Sequence, residues 1–221
     1  LKFDFIIIHE SGHEWFANNI TYKDIADMWI HESFTNYSES LFVEYYYGKE
    51  AGYAYVKGLR KNIENDKPII GHYDVNNEGS SDMYYKGSNM LHTLRQIVNN
   101  DEKWRGILRG VNSTFYHQTV TTKQIEDYLS QQVGTDLNPF FNQYLRDIRI
   151  PTLEYLFKDG QLRYRWTNCV ARFNMPVKVT VNEQEIVLFP DSEWESIAAK
   201  SQNSTLAVDS NFYVTSFTIA D

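Results

Sequence analysis

The sequence predicts an α+β protein with helices first and strands last, and three observations carry that prediction. Apolar residues recur at three- and four-residue spacing over most of the chain up to about residue 148. At Ile150-Pro151 the hydrophobic period drops to two. Turn pairs such as Asp159-Gly160 and Asn182-Glu183 then divide the remainder into short alternating runs. Residues 1–149 therefore read as a helical domain, and residues 150–221 as a small antiparallel β domain of sandwich-like pattern.

Taken in order, a first helix is expected from about residue 3 to 18, with Asn18-Asn19 as its stop. Thr21 to Asp24 offer caps for a second helix, which carries Ile25, Met28, Trp29, Phe34 and Tyr37 and ends at Gly48. Its Phe42, Tyr45 and Tyr46 are expected in the core. A third helical stretch covers Ala51 to Ile63, with Lys57, Arg60 and Lys61 on a solvated face. Asn65 to Ser81 contains Pro68, Gly71, Asn76-Asn77 and Gly79 and reads as a loop, a candidate cleft rim. Helical patterns follow from Tyr84 through Val98, over Glu102–His117, over Thr122–Val133 with Gly134 as its stop, and over Pro139–Ile148. Trp104, Ile107, Leu108 and Val111, like Phe140, Phe141, Tyr144 and Leu145, form core stripes. His72, Asp74, His92 and His117 read as surface or packing positions. Strands are expected at 153–157, 162–166, 177–181 and 212–214.

The chemistry is concentrated near the start, in His9-Glu10-Ser11-Gly12-His13 followed by Trp29-Ile30-His31-Glu32. Two histidines four apart share a helix face, roughly 6 Å apart along the axis, and can bind one tetrahedral zinc. Glu10 stands about 100° around the helix, where a carboxylate can take a proton from an attacking water. Zinc needs a third protein ligand, and Glu32 lies eighteen residues beyond His13 on the next helical pattern. A helix–turn–helix of that length can fold Glu32 back toward the histidines. The apolar flanks (Phe3, Ile6, Ile7, Ile8, Trp15, Phe16) place the pair on a helix where unpaired polar groups are costly.

HESGHEWFANNIT followed by WIHESFTNYSE resembles the M1 zinc aminopeptidases, a gluzincin family with thermolysin-like catalytic domains. Three positions depart from the family pattern: His31 for a usual Asn, Ser33 for a usual Gly, and Ala17 for a frequent Gly. None is a ligand. Tyr84-Tyr85-Lys86-Gly87 is similar to the family's Tyr-acidic-Lys-Gly segment, with Tyr85 where an acidic residue is common. The resemblance implies that residues 1–149 are the mostly helical half of a thermolysin-like domain and that the β module follows it. It implies Zn2+ held by His9, His13 and Glu32, with Glu10 as general base and later acid. Tyr84 would be the oxyanion donor, a suitable role for a phenol that adds no competing charge. The implied activity is removal of N-terminal amino acids from a peptide substrate. A thermolysin-type endopeptidase and a non-catalytic peptide-binding module retaining the zinc site are the alternatives. The chain begins without Met eight residues before the first ligand, and no Gly-x-Met-Glu-Asn segment is found, so a fragment lacking an upstream β lobe is expected.

Composition bounds the partners. The 221 residues are 42% hydrophobic and 23% charged, as in an ordinary globular chain. The net charge of −8 argues against a nucleic-acid partner, which needs clustered Lys and Arg. Cys169 is the single cysteine, so an internal disulfide and a thiolate metal cluster are excluded. No run reaches membrane-spanning length and no signal peptide is read. Compartment and oligomeric state are left open.

Overall fold

The computed structural model describes residues 3–199 and 204–219. Seven α-helices come first: α1 (Phe5–Gly12), α2 (Trp29–Tyr47), α3 (Lys49–Gly58), α4 (Asp82–Val98), α5 (Asp101–Thr114), α6 (Thr122–Val133) and α7 (Asn138–Arg146). The 19-residue α2 is the central element, packed against α1, α3 and α4. It is buried on most sides: Trp29, Ile30, Phe34, Tyr37 and Val43 are apolar contacts, and Ser33, Thr35, Asn36, Glu39 and Ser40 are buried polar ones. Such polar burial is tolerated only with internal partners. Ser33 Oγ donates to Met83 O at 2.7 Å and Asn36 Nδ2 to Glu39 Oε1 at 2.9 Å.

The helix starts follow cap chemistry. Asn100 and Thr121 accept from the backbone at the starts of α5 and α6, and Thr121 forms a capping box with Gln124. Gly134 ends α6 at φ 91°, a left-handed position that glycine adopts without strain. Two short strands, β1 (Ile20–Tyr22) and β2 (Gln118–Val120), pair in parallel and tie the turn before α2 to the turn before α6. Beside them Trp29 Nε1 donates to Thr122 Oγ1 at 2.7 Å, and that hydroxyl donates to buried Asp27 at 2.6 Å.

The remaining strands are β3 (Thr152–Lys158), β4 (Gln161–Thr167), β5 (Val177–Val181), β6 (Gln184–Leu188), β7 (Glu195–Ala198), β8 (Leu206–Val208) and β9 (Thr215–Thr218). They form a four-stranded sheet in the order β7-β4-β3-β9 and a three-stranded sheet in the order β6-β5-β8. Leu162, Tyr164 and Trp166 of β4 alternate inward, as do Val177, Val179 and Val181 of β5. Both sheets contribute to the same buried cluster as the helices. Direct bonds add to that contact: Tyr144 OH donates to Tyr213 O at 2.8 Å, and Tyr213 N donates to Thr93 Oγ1 at 2.9 Å.

Several expectations are corrected. The first helix stops at Gly12 instead of residue 18, because a π-type turn follows over Glu14–Asn18 and within it Phe16 and Ala17 leave helical geometry. The third stretch begins at Lys49 and ends in a 3-10 turn, and the helix expected to reach His117 ends at Thr114 before β2. Tyr45 and Tyr46 are 82% and 64% exposed, not core, because it is Val43 and Glu44 that face the neighbouring helices: Val43 is buried and Glu44 pairs with Arg95 of α4. Phe212 and Tyr213 are buried but lie in a turn, and the strand begins at Thr215. That strand, β9, pairs in parallel with β3, so the larger sheet is mixed where an antiparallel one was expected. No residue of the 65–81 loop lines the cleft described below; its Tyr73 OH instead donates to Asp27 Oδ1.

His92 of α4 is 1% exposed and meets Asn211 Oδ1 through Nε2 at 3.2 Å. Burial, aided by the nearby charges of Arg95 and Arg60, pushes its imidazolium down to about 3. The unfolded chain takes up that proton at about pH 6.5 and the folded chain does not, so the contribution is full above that pH. It is lost as the pH falls from about 6.5 toward 3. Thermal unfolding between pH 7 and pH 4 should therefore show a wild-type slope steeper than that of His92→Gln. The difference should approach about 1.4 kcal/mol per pH unit, the limit for one proton.

Candidate metal centre and cleft

His9 and His13 project from α1 toward Glu32, which sits in the first turn of α2. Glu32 Oε2 lies 3.2 Å from His9 Nε2 and 3.6 Å from His13 Nε2. All three ligand atoms fall within 4.8 Å of one another. A tetrahedral ion with ligand bonds of about 2.1 Å has ligand–ligand edges of about 3.4 Å, so these separations fit zinc.

Each imidazole is oriented from behind. The Nδ1–H of His9 donates to Glu39 Oε1 at 2.8 Å, which turns Nε2 toward Glu32. The Nδ1–H of His13 points at Phe16 O, 3.1 Å away, with Thr35 Oγ1 at 3.3 Å. Burial pulls the His9 imidazolium down, but hydrogen bonds and charge from Glu32 and Glu39 outweigh it and raise the group to about 9. The cluster thus draws positive charge, proton or metal ion alike.

Glu39 escaped sequence reasoning. It lies seven residues, two turns, beyond Glu32 and so returns to the same helix face, which is the signal that could have found it. Its carboxylate is 1% exposed and also accepts from Asn36 Nδ2 and from Tyr55 OH on α3. The apolar flanks of α1 do not enclose the histidines as expected. Ile6, Ile7 and Trp15 are each at least half exposed, and only His9 and Gly12 of α1 are buried.

Glu10 is exposed and lines a cleft of about 470 Å3 together with His9, Glu39, Tyr55, Tyr84 and Tyr85. Tyr84, in the first turn of α4, brings its ring to 5.9 Å from that of His9. Burial and the charges of Glu32, Glu78 and Glu10 raise its phenol to about 12, so it keeps its proton and can donate. The structure thus brings all five predicted site residues, His9, Glu10, His13, Glu32 and Tyr84, to one end of α2.

The three departures are accommodated. His31 Nε2 accepts from Tyr22 N at 3.1 Å, and burial pushes its imidazolium down to about 4, keeping it neutral. Ala17 has φ 169°, extended backbone open to any residue. Ser33 uses the space that Gly87 leaves. A Cβ on Gly87 would stand 1.9 Å from Ser33 Oγ.

Two imidazoles and a carboxylate converging beside a cleft form a candidate metal centre. Residues 2–144 match the Peptidase family M1 domain, and the chain belongs to that family. It is 26% identical over 170 residues to the Aminopeptidase N of Lactococcus lactis subsp. lactis, covering 71% of this chain and 20% of that protein. It is 20% identical over 224 residues to the Leucyl aminopeptidase of Saccharolobus solfataricus, covering 93% and 28%. The crystal structure of Legionella pneumophila aminopeptidase A in complex with aspartic acid superposes with a TM-score of 0.70. That match has 14% identity and covers 98% of this chain and 27% of that one, a likeness of fold. The chain therefore spans between a fifth and three tenths of the length of these three proteins. Among the described residues no helix is long and apolar enough to cross a membrane.

Gly87→Ala should destabilise the chain by about 1–3 kcal/mol through overpacking. Ser33→Gly in the same chain should restore most of that loss, as thermal or urea unfolding of the single and double variants would show.

Proposed function

We propose that this chain carries the metal-binding side of the active site of a zinc-dependent aminopeptidase. The observation that carries the reading is the placing of Glu32 Oε2 at 3.2 and 3.6 Å from two imidazole nitrogens. His9, His13 and Glu32 are the ligands in this reading. Zinc bound there would polarise the scissile carbonyl and acidify water at neutral pH. Glu10 takes the proton of the attacking water on its carboxylate and passes it to the leaving amine. Tyr84 donates from its phenol OH to the oxygen of the carbonyl as charge develops there. Glu39 holds the Nδ1 proton of His9 throughout. The substrate is a peptide with a free N-terminus, a choice supported by relatives named as aminopeptidases.

Metal analysis of the purified chain should give about one zinc per chain. Glu32→Ala should lose it, and zinc in neither, even after zinc is supplied, would overturn the ligand set. Turnover is best measured in a protein of the relatives' full length that carries this chain. Unblocked aminoacyl anilides should be hydrolysed and N-acetylated ones spared; the reverse would mark an endopeptidase.

In the same protein Glu10→Gln should lower kcat by about 10²–10⁴-fold. Tyr84→Phe should lower it by about 10²–10³-fold, and both variants should keep their zinc. Unchanged turnover in a zinc-loaded Glu10→Gln variant would point to another base.

A further inference from the structure

From the geometry behind His9 we infer that Tyr55 is a positioning residue for the metal centre, acting through Glu39. The inference rests on the zinc reading above. Glu39 is a buried carboxylate with three donors around it. His9 Nδ1 and Asn36 Nδ2 share Oε1, at 2.8 and 2.9 Å. Oε2 receives Tyr55 OH, at 2.5 Å. Tyr55 is thus the donor that fixes the second oxygen, and with it the rotation of the carboxylate about its own axis.

Its position on the chain makes this more than local packing. Tyr55 comes from α3, whereas His9 belongs to α1 and Glu39 to α2. The bond therefore joins three helices at the metal end of the cleft. The Tyr55 ring packs on Phe3 at 5.4 Å between centroids and is held from that side. Burial and the adjoining Glu39 carboxylate push the phenol far above its ordinary range, so it stays a donor at every working pH. A carboxylate with one oxygen unpaired in a buried site turns toward any other donor, and His9 would lose its fixed orientation. Tyr55 also lines the cleft beside Glu10 and Tyr84, so the bond that steadies His9 forms part of the substrate-facing wall.

The test is zinc affinity of this chain, measured by competition with a chromophoric chelator, in wild type, Tyr55→Phe, Glu39→Gln and the double variant. Direct outer partners of zinc-binding histidines are worth about 10–100-fold in affinity. Tyr55, one bond further out, should be worth about 5–10-fold. Glu39→Gln should cost at least as much, and Tyr55→Phe should add nothing in its presence. Effects that multiply in the double variant, or a Tyr55→Phe affinity equal to wild type, would overturn the inference while leaving the zinc reading intact. No zinc binding by wild type would overturn both. Should Glu39→Gln not fold, 15N imidazole spectra decide from Tyr55→Phe alone. In the zinc-loaded chain wild type should show a His9 Nδ1 proton that exchanges slowly with solvent, and the variant a faster-exchanging one; identical spectra would refute the role.

Discussion

Three polar side chains from two helices can converge on one point only where the helix backbones come close, and Gly12 makes that approach. A Cβ at Gly12 would stand 2.7 Å from Ser38 Oγ and 3.0 Å from Thr35 Cγ2, both on α2. Any side chain would wedge α1 away from α2 beside His13 and pull the histidines off Glu32. Glycine inside a helix costs about 0.5–1 kcal/mol relative to alanine, and here the cost is offset by the contact it permits. Gly87 does the same on the other side of α2, where it meets Ser33. Tyr84 lies one turn before Gly87, so this second close approach sets the Tyr84 ring beside His9. The site hangs from α2, and two small residues set how near its neighbours come.

The helical break after Gly12 belongs to the same arrangement. Had α1 run on to residue 18, the carbonyl of Phe16 would have pointed along the helix axis in its last turn. Instead Phe16 and Ala17 leave helical geometry, and that carbonyl accepts from His13 Nδ1 at 3.1 Å. The turn that replaces it uses wider bonds, from Asn18 N to His13 O at 2.9 Å and from Asn19 N to Glu14 O at 3.2 Å. Terminating the helix thus supplies the outer acceptor for the second histidine and directs the chain into β1.

How much of this was legible follows from the range of each interaction. His9, His13 and Glu32 could be read because ligand spacing on one helix and the next is a short-range pattern. The stripes of α5 and α7 were equally plain, since Trp104, Ile107, Val111 and Phe140, Phe141, Tyr144 repeat at helical period and are buried. β1 and β2 were not, because three residues give too little alternation and their pairing joins positions nearly a hundred residues apart. Tyr45 and Tyr46 misled because aromatic content does not say which face of a helix its neighbours cover, and here they cover Val43 and Glu44. Glu39 sat in view at heptad spacing from Glu32, yet a carboxylate on a helix becomes an outer ligand only when an imidazole from elsewhere points at it.

The two imidazoles are consequently held by unlike partners. His13 leans on a backbone carbonyl, which cannot ionise and is fixed by the local turn. His9 leans on a carboxylate, a stronger acceptor that must itself be buried, paired and turned correctly. A buried charge is costly unless its donors are complete, so Glu39 needs Asn36 from its own helix and Tyr55 from α3. The chain of dependence runs outward from His9 through Glu39 to α3, which contributes none of the three converging side chains. Substitutions on α3 can therefore reach His9 through one hydrogen bond, while His13 rests on a local backbone carbonyl and on Thr35 of α2.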